Sequence, residues 1–380
     1  MSNYFKNERK VFVKKFYKDN FAFIIEAEDE SIFEDIQKFI SFENKPDNNI
    51  EYNITRIFFR DKKDLNECIK RLSEQGREIV IHGGTPEQHV SGKKTEADGN
   101  IIYRIPLNDE YILQDIDKKA YFLYGGQKGK EDNLYRIVRE IYYRKSLALG
   151  RVALHSAAVS DKRGRCILIP GEKATGKTTL LCNFLASDKY DFIDNDRLLL
   201  EVDDNGQLLA HSMSSTVNVG YGTMRICPER FKSIKISGYY KPTEKKRYTR
   251  SEFINQIGCL STTTGKVKSI LFPSIKKGAK TNITPCSDAL KMSRISLAIE
   301  EFNNSEHPDW LGISNISEEQ YKQNIAKILD SISEMIPANV VEFGYERIEP
   351  EKMEEIDRGE RWLCINLKIL YNLIKNIITI

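Results

Sequence analysis

The chain has 380 residues, of which 40% are hydrophobic and 30% are charged, so it is long enough for two domains with packed cores. Its 58 Lys and Arg residues nearly balance its 55 Asp and Glu residues, and the resulting formal charge of +3 argues against a dedicated nucleic-acid-binding protein. The seven cysteines have no metal-ligand spacing and the five histidines show no zinc pattern, which indicates reduced thiols and a cytoplasmic protein.

Residues 1–121 are predicted to form a small N-terminal α/β lobe. Apolar runs in it indicate strands, and apolar residues at helical spacing indicate helices. The predicted strands are 21–25, 54–59 and 78–81, and the predicted helices are 31–41, with a serine as its N-cap candidate, and 65–75. The polar run 85–99 is predicted to be a loop or hairpin tip. This lobe contains no catalytic motif.

The next region, 122–349, is predicted to be a nucleotide-binding α/β domain. A helical segment at 133–149 precedes an apolar strand at 152–159, which carries His155, and a second apolar strand follows at 166–169. A histidine on a strand is usually a satisfied core or surface residue. The position of this one, just before the motif that follows, makes it a candidate catalytic residue.

The segment after these strands has the spacing of a phosphate-binding P-loop. Gly171 and Gly176 permit backbone angles that turn successive N–H groups inward around a polyphosphate. Lys177 can reach the outer phosphates, and the Thr178 hydroxyl can ligate Mg²⁺ at the start of a helix predicted over 179–185. We therefore predict that ATP binds to Gly171, Glu172, Lys173, Ala174, Thr175, Gly176, Lys177, Thr178 and Thr179. The alternative is a glycine-containing turn that matches by chance.

Acidic side chains follow the P-loop helix, beside a further apolar strand at 197–201. Carboxylates at this position can hold Mg²⁺ directly or through water, or can take the proton of an attacking hydroxyl. We assign a metal role to Asp194, together with Thr178, and the role of catalytic base to Asp196, which is also a candidate metal ligand. Solvated turn residues are the alternative for both.

A basic segment at 241–250 is predicted to be a loop. Phosphoryl transfer spreads negative charge over the moving group, and guanidinium groups stabilise such charge through two donors at once. Arg247 and Arg250 are therefore candidate catalytic residues. The same loop could instead hold an acidic peptide substrate, or could be a solvated surface loop.

The C-terminal part is predicted to complete the sheet and to add a helical tail. A strand is predicted at 267–273, a helix at 318–336 and a closing strand at 340–345. The tail, 350–380, has apolar residues at helical spacing with Asn and Lys between them. It is predicted to form an amphipathic helix that packs on its own domain or on a second subunit and does not span a membrane.

A histidine on a strand, a hairpin, a P-loop and an acidic cluster before a second strand together resemble the HPr kinase/phosphorylase group. The chain is most similar in layout to HPr-kinase-related enzymes of modified-peptide pathways, including lasso-peptide tailoring kinases. The resemblance implies an α/β fold whose P-loop kinase core is of the HPr kinase and phosphoenolpyruvate carboxykinase type, with phosphoryl transfer to a serine hydroxyl. By position, it implies that His155 is the active-site histidine and that Asp196 is the candidate base.

The sequence also departs from that family. Asn195 stands where the family has the first Asp of its pair, and Asn218 lies where its signature glutamate is expected. The HPr-specific signature is absent, so HPr is not the expected substrate.

We therefore expect an ATP- and Mg²⁺-dependent kinase that phosphorylates a hydroxyl, such as a serine of a peptide or small protein. Two alternatives remain open at this stage. One is a kinase of a free amino acid or sugar, and the other is a nucleotide-hydrolysing switch or assembly protein.

Overall fold

The computed structural model describes residues 10–43, 51–60, 74–83, 89–97, 99–105, 110–115, 117, 119–125, 133–213, 216–231, 244–276 and 278–344. The chain divides into two compact units. The first unit takes in Met1–Leu149 and Glu301–Ile316, and the second takes in Gly150–Glu300 and the chain from Ser317 onward.

The first unit is an eight-stranded sheet with two helices in its described part. Its helices are α1 (Ser31–Phe39) and α2 (Asn133–Leu147). Its strands are β1 (Phe12–Lys18), β2 (Phe21–Ala27), β3 (Asn53–Arg60), β4 (Arg77–His82), β5 (Val90–Ala97), β6 (Asn100–Ile105), β7 (Glu110–Asp115) and β8 (Ala120–Tyr124). The strand order is β1-β2-β3-β8-β7-β6-β5-β4, and the β2–β3 and β3–β8 pairs are parallel.

The boundary between the units lies near residue 150, not near 122 as the sequence analysis predicted, because α2 packs in the first unit. The ring of Tyr142 on α2 lies 5.5 Å from the ring of Phe21 on β2, and its hydroxyl donates to the carboxylate of Asp19. Lys145, one turn further on, donates to the hydroxyl of Thr55 on β3 at 2.9 Å. The helix that leads into the P-loop region therefore belongs to the sheet before it.

The predicted strands of the first unit are confirmed, and one predicted loop is wrong. Residues 90–97 were expected in a loop or hairpin tip, but they form β5, which pairs with β4 and with β6. Gly92 is the one buried position described along it, so its backbone ladder and not apolar burial holds it in the sheet. The N-cap of α1 is Glu30 and not a serine. Most of the predicted helix at 65–75 lies outside the described residues.

The second unit combines a mixed sheet with a separate two-stranded ribbon. Its helices are α3 (Lys177–Ala186), α4 (Tyr221–Ile226), α5 (Arg250–Ile257), α6 (Asp288–Ala298) and α7 (Glu318–Met335). Its strands are β9 (Val152–Asp161), β10 (Arg165–Pro170), β11 (Tyr190–Asp194), β12 (Arg197–Val202), β13 (Leu208–Ser212), β14 (Thr216–Gly220), β15 (Lys245–Thr249), β16 (Thr264–Ile275), β17 (Asn282–Pro285) and β18 (Ala338–Phe343).

Two long strands organise this sheet by changing partners along their length. The first half of β9 pairs with β12, and its second half pairs with β10 and β11. In the same way β16 pairs first with β13, then in parallel with β10 and finally in parallel with β18. The pairings β10-β9-β12-β13-β16-β10 therefore close a ring of strands. The parallel strands β10, β16 and β18 end on one side of it, where ligands bind in many α/β sheets.

The strands and helices predicted around the P-loop are confirmed, including the closing strand and the long helix α7. The predicted loop at 241–250 is wrong where it can be described, since 245–249 form β15 and Arg250 begins α5. The predicted tail helix lies outside the described residues. None of the helices that the structure describes has the length and the apolar character needed to cross a membrane.

Candidate active site around the P-loop

The segment predicted to be a P-loop connects the strand β10 to the helix α3, and it is called the P-loop below. Gly176 is the N-cap of α3 and has φ 105°, a left-handed conformation that strongly favours glycine. A Cβ atom at this position would lie 2.8 Å from the ring of Phe343 and 3.3 Å from Ile275. The Ile275 N–H also donates to the Thr175 carbonyl at 3.1 Å. The loop therefore rests directly on the ends of β16 and β18, and it needs a glycine there.

The start of α3 offers backbone donors to an anion. The first hydrogen bond of the helix runs from the Leu180 N–H to the Gly176 carbonyl at 2.9 Å. Helical geometry therefore leaves the N–H groups of Lys177, Thr178 and Thr179 without acceptors inside the helix. These groups, together with the partial positive charge of the helix N-terminus, suit a phosphate.

The buried side chains of α3 fix the direction in which the N-terminus of this helix points. The apolar side chains of α3 lie in the core of the second unit, together with residues of β9, β11 and β18. Those that are fully buried are Leu180, Leu181, Cys182 and Leu185. Cys166 on β10 is equally buried. Both cysteines beside the P-loop are thus core residues.

The Lys177 ammonium is turned back onto the loop. Its Nζ donates to the Gly171 carbonyl at 2.6 Å and to the Glu172 carbonyl at 2.9 Å, and the residue is only 9% exposed. Burial lowers the pKa of Lys177 to about 8, the charge of Lys245 adds to this, and Asp196 opposes it. A phosphate group at this position would offer the ammonium a charged acceptor in place of the two carbonyls.

His155 and Asp196 lie side by side, as the sequence predicts. His155 is paired with Arg197 across β9 and β12, and the Ser156 N–H donates to the Asp196 carbonyl at 3.1 Å. The His155 Nδ1 is 3.6 Å from the Asp196 Oδ1. The Asp196 side chain is 55% exposed, which leaves its carboxylate accessible to a substrate.

The histidine is held in its neutral form. Burial lowers the pKa of His155, the charge of Lys177 lowers it further, and the nearby carboxylate of Asp196 acts in the opposite direction. The charges of Lys177 and Asp196 both act on the pKa of His155, and the charge of Asp196 acts on the pKa of Lys177, so the three predicted side chains lie within electrostatic reach of one another.

Asp194 does not have the exposure expected of a metal ligand. It is fully buried, and its Oδ1 accepts the Asn195 N–H at 2.7 Å while its Oδ2 accepts the Met213 N–H at 2.6 Å. Its carboxylate is used to shape the turn between β11 and β12. We therefore correct its role from metal ligand to a residue that positions Asp196.

Arg250 is likewise not a cation for the transferring group. It is 2% exposed, and its guanidinium donates to the Ile193 carbonyl at 2.7 Å and to the Thr262 carbonyl at 3.3 Å. It also lies over the Phe192 ring, 4.6 Å from the centroid. Because its two terminal nitrogens donate to these carbonyls, Arg250 is tied to β11 inside the core and is not directed at a substrate. Arg247, by contrast, is on the exposed part of β15.

The hydroxyl of Thr179 is also directed away from the P-loop. It is buried and lies 2.9 Å from the hydroxyl of Thr223 on α4. Only its backbone N–H can therefore serve a phosphate, while the half-buried Thr178 keeps the position expected of a magnesium ligand.

The described residues fit a magnesium ion held mainly by nucleotide phosphates. Within the described ranges, no group of three or more His, Cys, Asp or Glu side chains is arranged to hold a metal. A magnesium ion bound with a nucleotide does not need such a group, since one or two protein oxygens suffice beside phosphates and water. Thr178 and the exposed Asp196 are the oxygen donors in place for this.

One ion pair at the site has no signal in the sequence. Arg197 forms a two-pronged ion pair with Glu300, which follows α6 in the chain. Glu300 is in turn fixed to β9, because its N–H donates to the Ala153 carbonyl at 3.0 Å and its carbonyl accepts the Tyr321 hydroxyl at 3.0 Å. The pair lies beside His155, whose pKa is raised by Glu300 and lowered by Arg197.

No model of a known protein family matches the sequence, and no curated protein matches it either. The function must therefore be inferred from the residues of the site and their contacts.

Proposed function

We propose that the protein is an ATP-dependent phosphotransferase of the HPr-kinase-related type, which transfers the γ-phosphoryl group to a hydroxyl of a peptide or small protein, a serine being the favoured acceptor. The observation that carries this proposal is the placement of His155 and Asp196 next to the P-loop lysine, Lys177. A strand-loop-helix phosphate site with an exposed carboxylate beside it suits transfer to an acceptor hydroxyl.

Each side chain has a separate role in the proposed reaction. Lys177 and the N–H groups at the start of α3 hold the phosphates, and Asp196 accepts the proton of the acceptor hydroxyl. The acceptor oxygen forms a bond to the γ-phosphorus as the bond between that phosphorus and the bridging oxygen of ADP breaks. Mg²⁺, when bound through the phosphates and Thr178, neutralises the charge of the phosphate oxygens.

His155 assists the base and does not replace it. Since its pKa is lowered, the imidazole is neutral at pH 7 and adds no positive charge that would weaken the basicity of Asp196. Its Nδ1 lies close enough to the Asp196 carboxylate to orient it after a small movement of either side chain.

The test is a transfer assay with ATP labelled on its γ-phosphate. Purified protein is incubated with Mg²⁺, labelled ATP and heat-treated extract of the source cell, which supplies acceptors without active kinases. Asp196→Asn should reduce transfer by about 10²–10⁴-fold while nucleotide binding is retained. Asp191→Asn is the matched control, since Asp191 lies on β11, shortly before Asp196 in the chain, but forms an ion pair with Lys162.

Label on a peptide or small protein, present with wild type and with Asp191→Asn but absent with Asp196→Asn, supports the proposal and identifies the acceptor. Label on a free small molecule would move the acceptor to an amino acid or sugar. Free phosphate alone, released equally by wild type and Asp196→Asn, would contradict phosphotransfer and favour a nucleotide-hydrolysing switch.

A further inference from the structure

The two-stranded ribbon β14–β15 has one apolar face and one polar face. Val217, Val219 and Tyr248 are buried in the core that also contains α3. Because side chains alternate along a strand, the neighbouring positions face the other way. Asn218 and Arg247 are directly opposite each other on that second face, and both are exposed.

The end of this ribbon nearest the P-loop carries a further lysine. Gly220 ends β14, pairs with Lys245 on β15 and leads directly into α4. The Thr223 hydroxyl on α4 contacts the Thr179 hydroxyl in the first turn of α3. Lys245 is exposed and lowers the pKa of Lys177, so its charge acts at the P-loop lysine.

Lys245 and Arg247 therefore form a short row of positive charge that begins beside the predicted phosphate site and follows β15. Two residues along a strand correspond to about 6.4–6.8 Å, which is also the spacing of alternate side chains in an extended peptide. The exposed side chains described on this face are basic or neutral; none is acidic.

We propose that the outward face of β14–β15, with Lys245 and Arg247, binds an acidic segment of the acceptor, whose carboxylates occur at alternate positions next to the phosphorylated hydroxyl. This inference rests on the proposed function, because it names the class of acceptor that the same site would take. Charge complementarity is the reason for the choice: a guanidinium and an ammonium in a row bind carboxylates of an extended chain through charge-assisted hydrogen bonds.

The first experiment compares three synthetic peptides that share a central serine. Their alternate flanking positions carry Glu, Gln or Lys, and steady-state kinetics are measured with wild type and with the double variant Lys245→Gln, Arg247→Gln. The matched control is Arg163→Gln, Lys268→Gln, which removes the same charge from exposed positions of the β9–β10 turn and of β16.

Wild type and control should show a KM for the Glu peptide about fivefold or more below that for the Gln peptide, and the double variant should lose this preference. The preference should also weaken as salt is raised, because exposed charge pairs are screened. Equal KM values in wild type, or a preference that the double variant keeps, would overturn the proposal. A higher KM for ATP in the double variant with the peptide preference intact would assign the two side chains to the nucleotide instead.

A binding measurement separates this inference from the proposed function. The same Glu peptide with Ala in place of Ser is labelled with a fluorophore, and its anisotropy is followed on addition of Asp196→Asn protein with a non-hydrolysable ATP analogue. Binding that requires Lys245 and Arg247, with no transfer to any peptide, would support the acidic-segment surface and contradict the kinase. Transfer to all three peptides without charge-selective binding would support the kinase and contradict the acidic-segment surface.

Discussion

Side chains with perturbed pKa values differ between the two units in their exposure to solvent. In the first unit, Tyr103 and Tyr121 are fully buried: the Tyr103 hydroxyl donates to the Gln114 side chain at 2.7 Å, and burial raises the pKa of both tyrosines far above the ordinary range. In the second unit, His155 lies within β9 and Asp196 in the turn before β12, and both are partly exposed. The perturbed pKa values of Tyr103 and Tyr121 thus accompany packing, whereas that of His155 belongs to a side chain that solvent can reach.

This difference indicates that a candidate functional site is identified by the exposure of its side chains to solvent, and not by perturbed pKa values alone. Arg144 on α2 is buried between the Glu140 carboxylate, at 2.6 Å, and the His307 carbonyl, and it lies 3.9 Å from Asp309. None of these groups can leave its partner without cost, so they hold the unit together. Lys177, in contrast, is bonded to carbonyls that a phosphate can replace.

The largest expected effect is a loss of stability of the first unit, caused by a substitution that changes no residue of the second. Arg144→Met removes the cation from two partly buried carboxylates and should destabilise that unit by about 3–5 kcal/mol. The readout is the urea midpoint of Trp310 fluorescence in a Trp362→Phe background, because the Trp310 indole packs against Tyr103 with ring centroids 5.3 Å apart. Lys38→Met is the control, since its ion pair with Asp35 on α1 is largely exposed. A midpoint shift no larger than that of the control would show that Arg144 is not structural.

A second prediction concerns the protonation of Lys177. With a pKa of about 8, the free lysine is largely neutral at pH 8.5, and bound phosphate should raise its pKa and restore the charge. Nucleotide binding at pH 8.5 should therefore take up about 0.5–1 proton, and affinity should fall as the pH rises above 8. Calorimetry in buffers of different ionisation enthalpy measures this uptake.

Substitutions of two lysines of the P-loop test the assignment of this proton, one as the test and one as its control. Lys177→Met should abolish the proton uptake, whereas Lys173→Met, which changes an exposed lysine, should keep it. Uptake that is unchanged in Lys177→Met would assign the proton to another group.

The smallest expected effect is a shift in the pKa of His155 when its neighbouring ion pair is changed. Glu300 raises the pKa of His155 and Arg197 lowers it, so Glu300→Gln should lower that pKa and Arg197→Gln should raise it. Because the imidazole is proposed to act in its neutral form, the acidic limb of the pH–rate profile should move with it. NMR titration of the His155 ring protons measures the shift directly. Since both changes break the same ion pair, shifts in the same direction would indicate a structural effect alone.

Local signals of the sequence were sufficient for the P-loop and its surroundings. Glycine positions, an apolar strand and an apolar helix together define β10, Gly176 and α3, because the constraints act within a few residues. His155 and Asp196 were selected from local patterns and from the family resemblance, and their proximity follows from the pairing of β9 with β12.

The residues that sequence reasoning misassigned depend on distant contacts. Asp194 and Arg250 have the residue types of a metal ligand and a phosphate-binding cation, but the fold buries both, Asp194 at the end of β11 and Arg250 against the Ile193 carbonyl of the same strand. Glu300 is 103 positions from Arg197 in the chain, so nothing local indicates their ion pair. The strand β5 was missed for a related reason: its partners, and not its own composition, stabilise it.

The segment Glu301–Ile316 belongs to the first unit although it follows most of the second unit in the chain. This affects the order in which the two units can fold during synthesis. Within the first unit, the Gly83 N–H donates to the Glu306 carbonyl, and the Tyr103 hydroxyl to the Leu311 carbonyl. Translation delivers residues from the N-terminus onward, so these acceptors are synthesised only after β9 to β17. The first unit, although it is synthesised first, can complete its packing only after most of the second has left the ribosome.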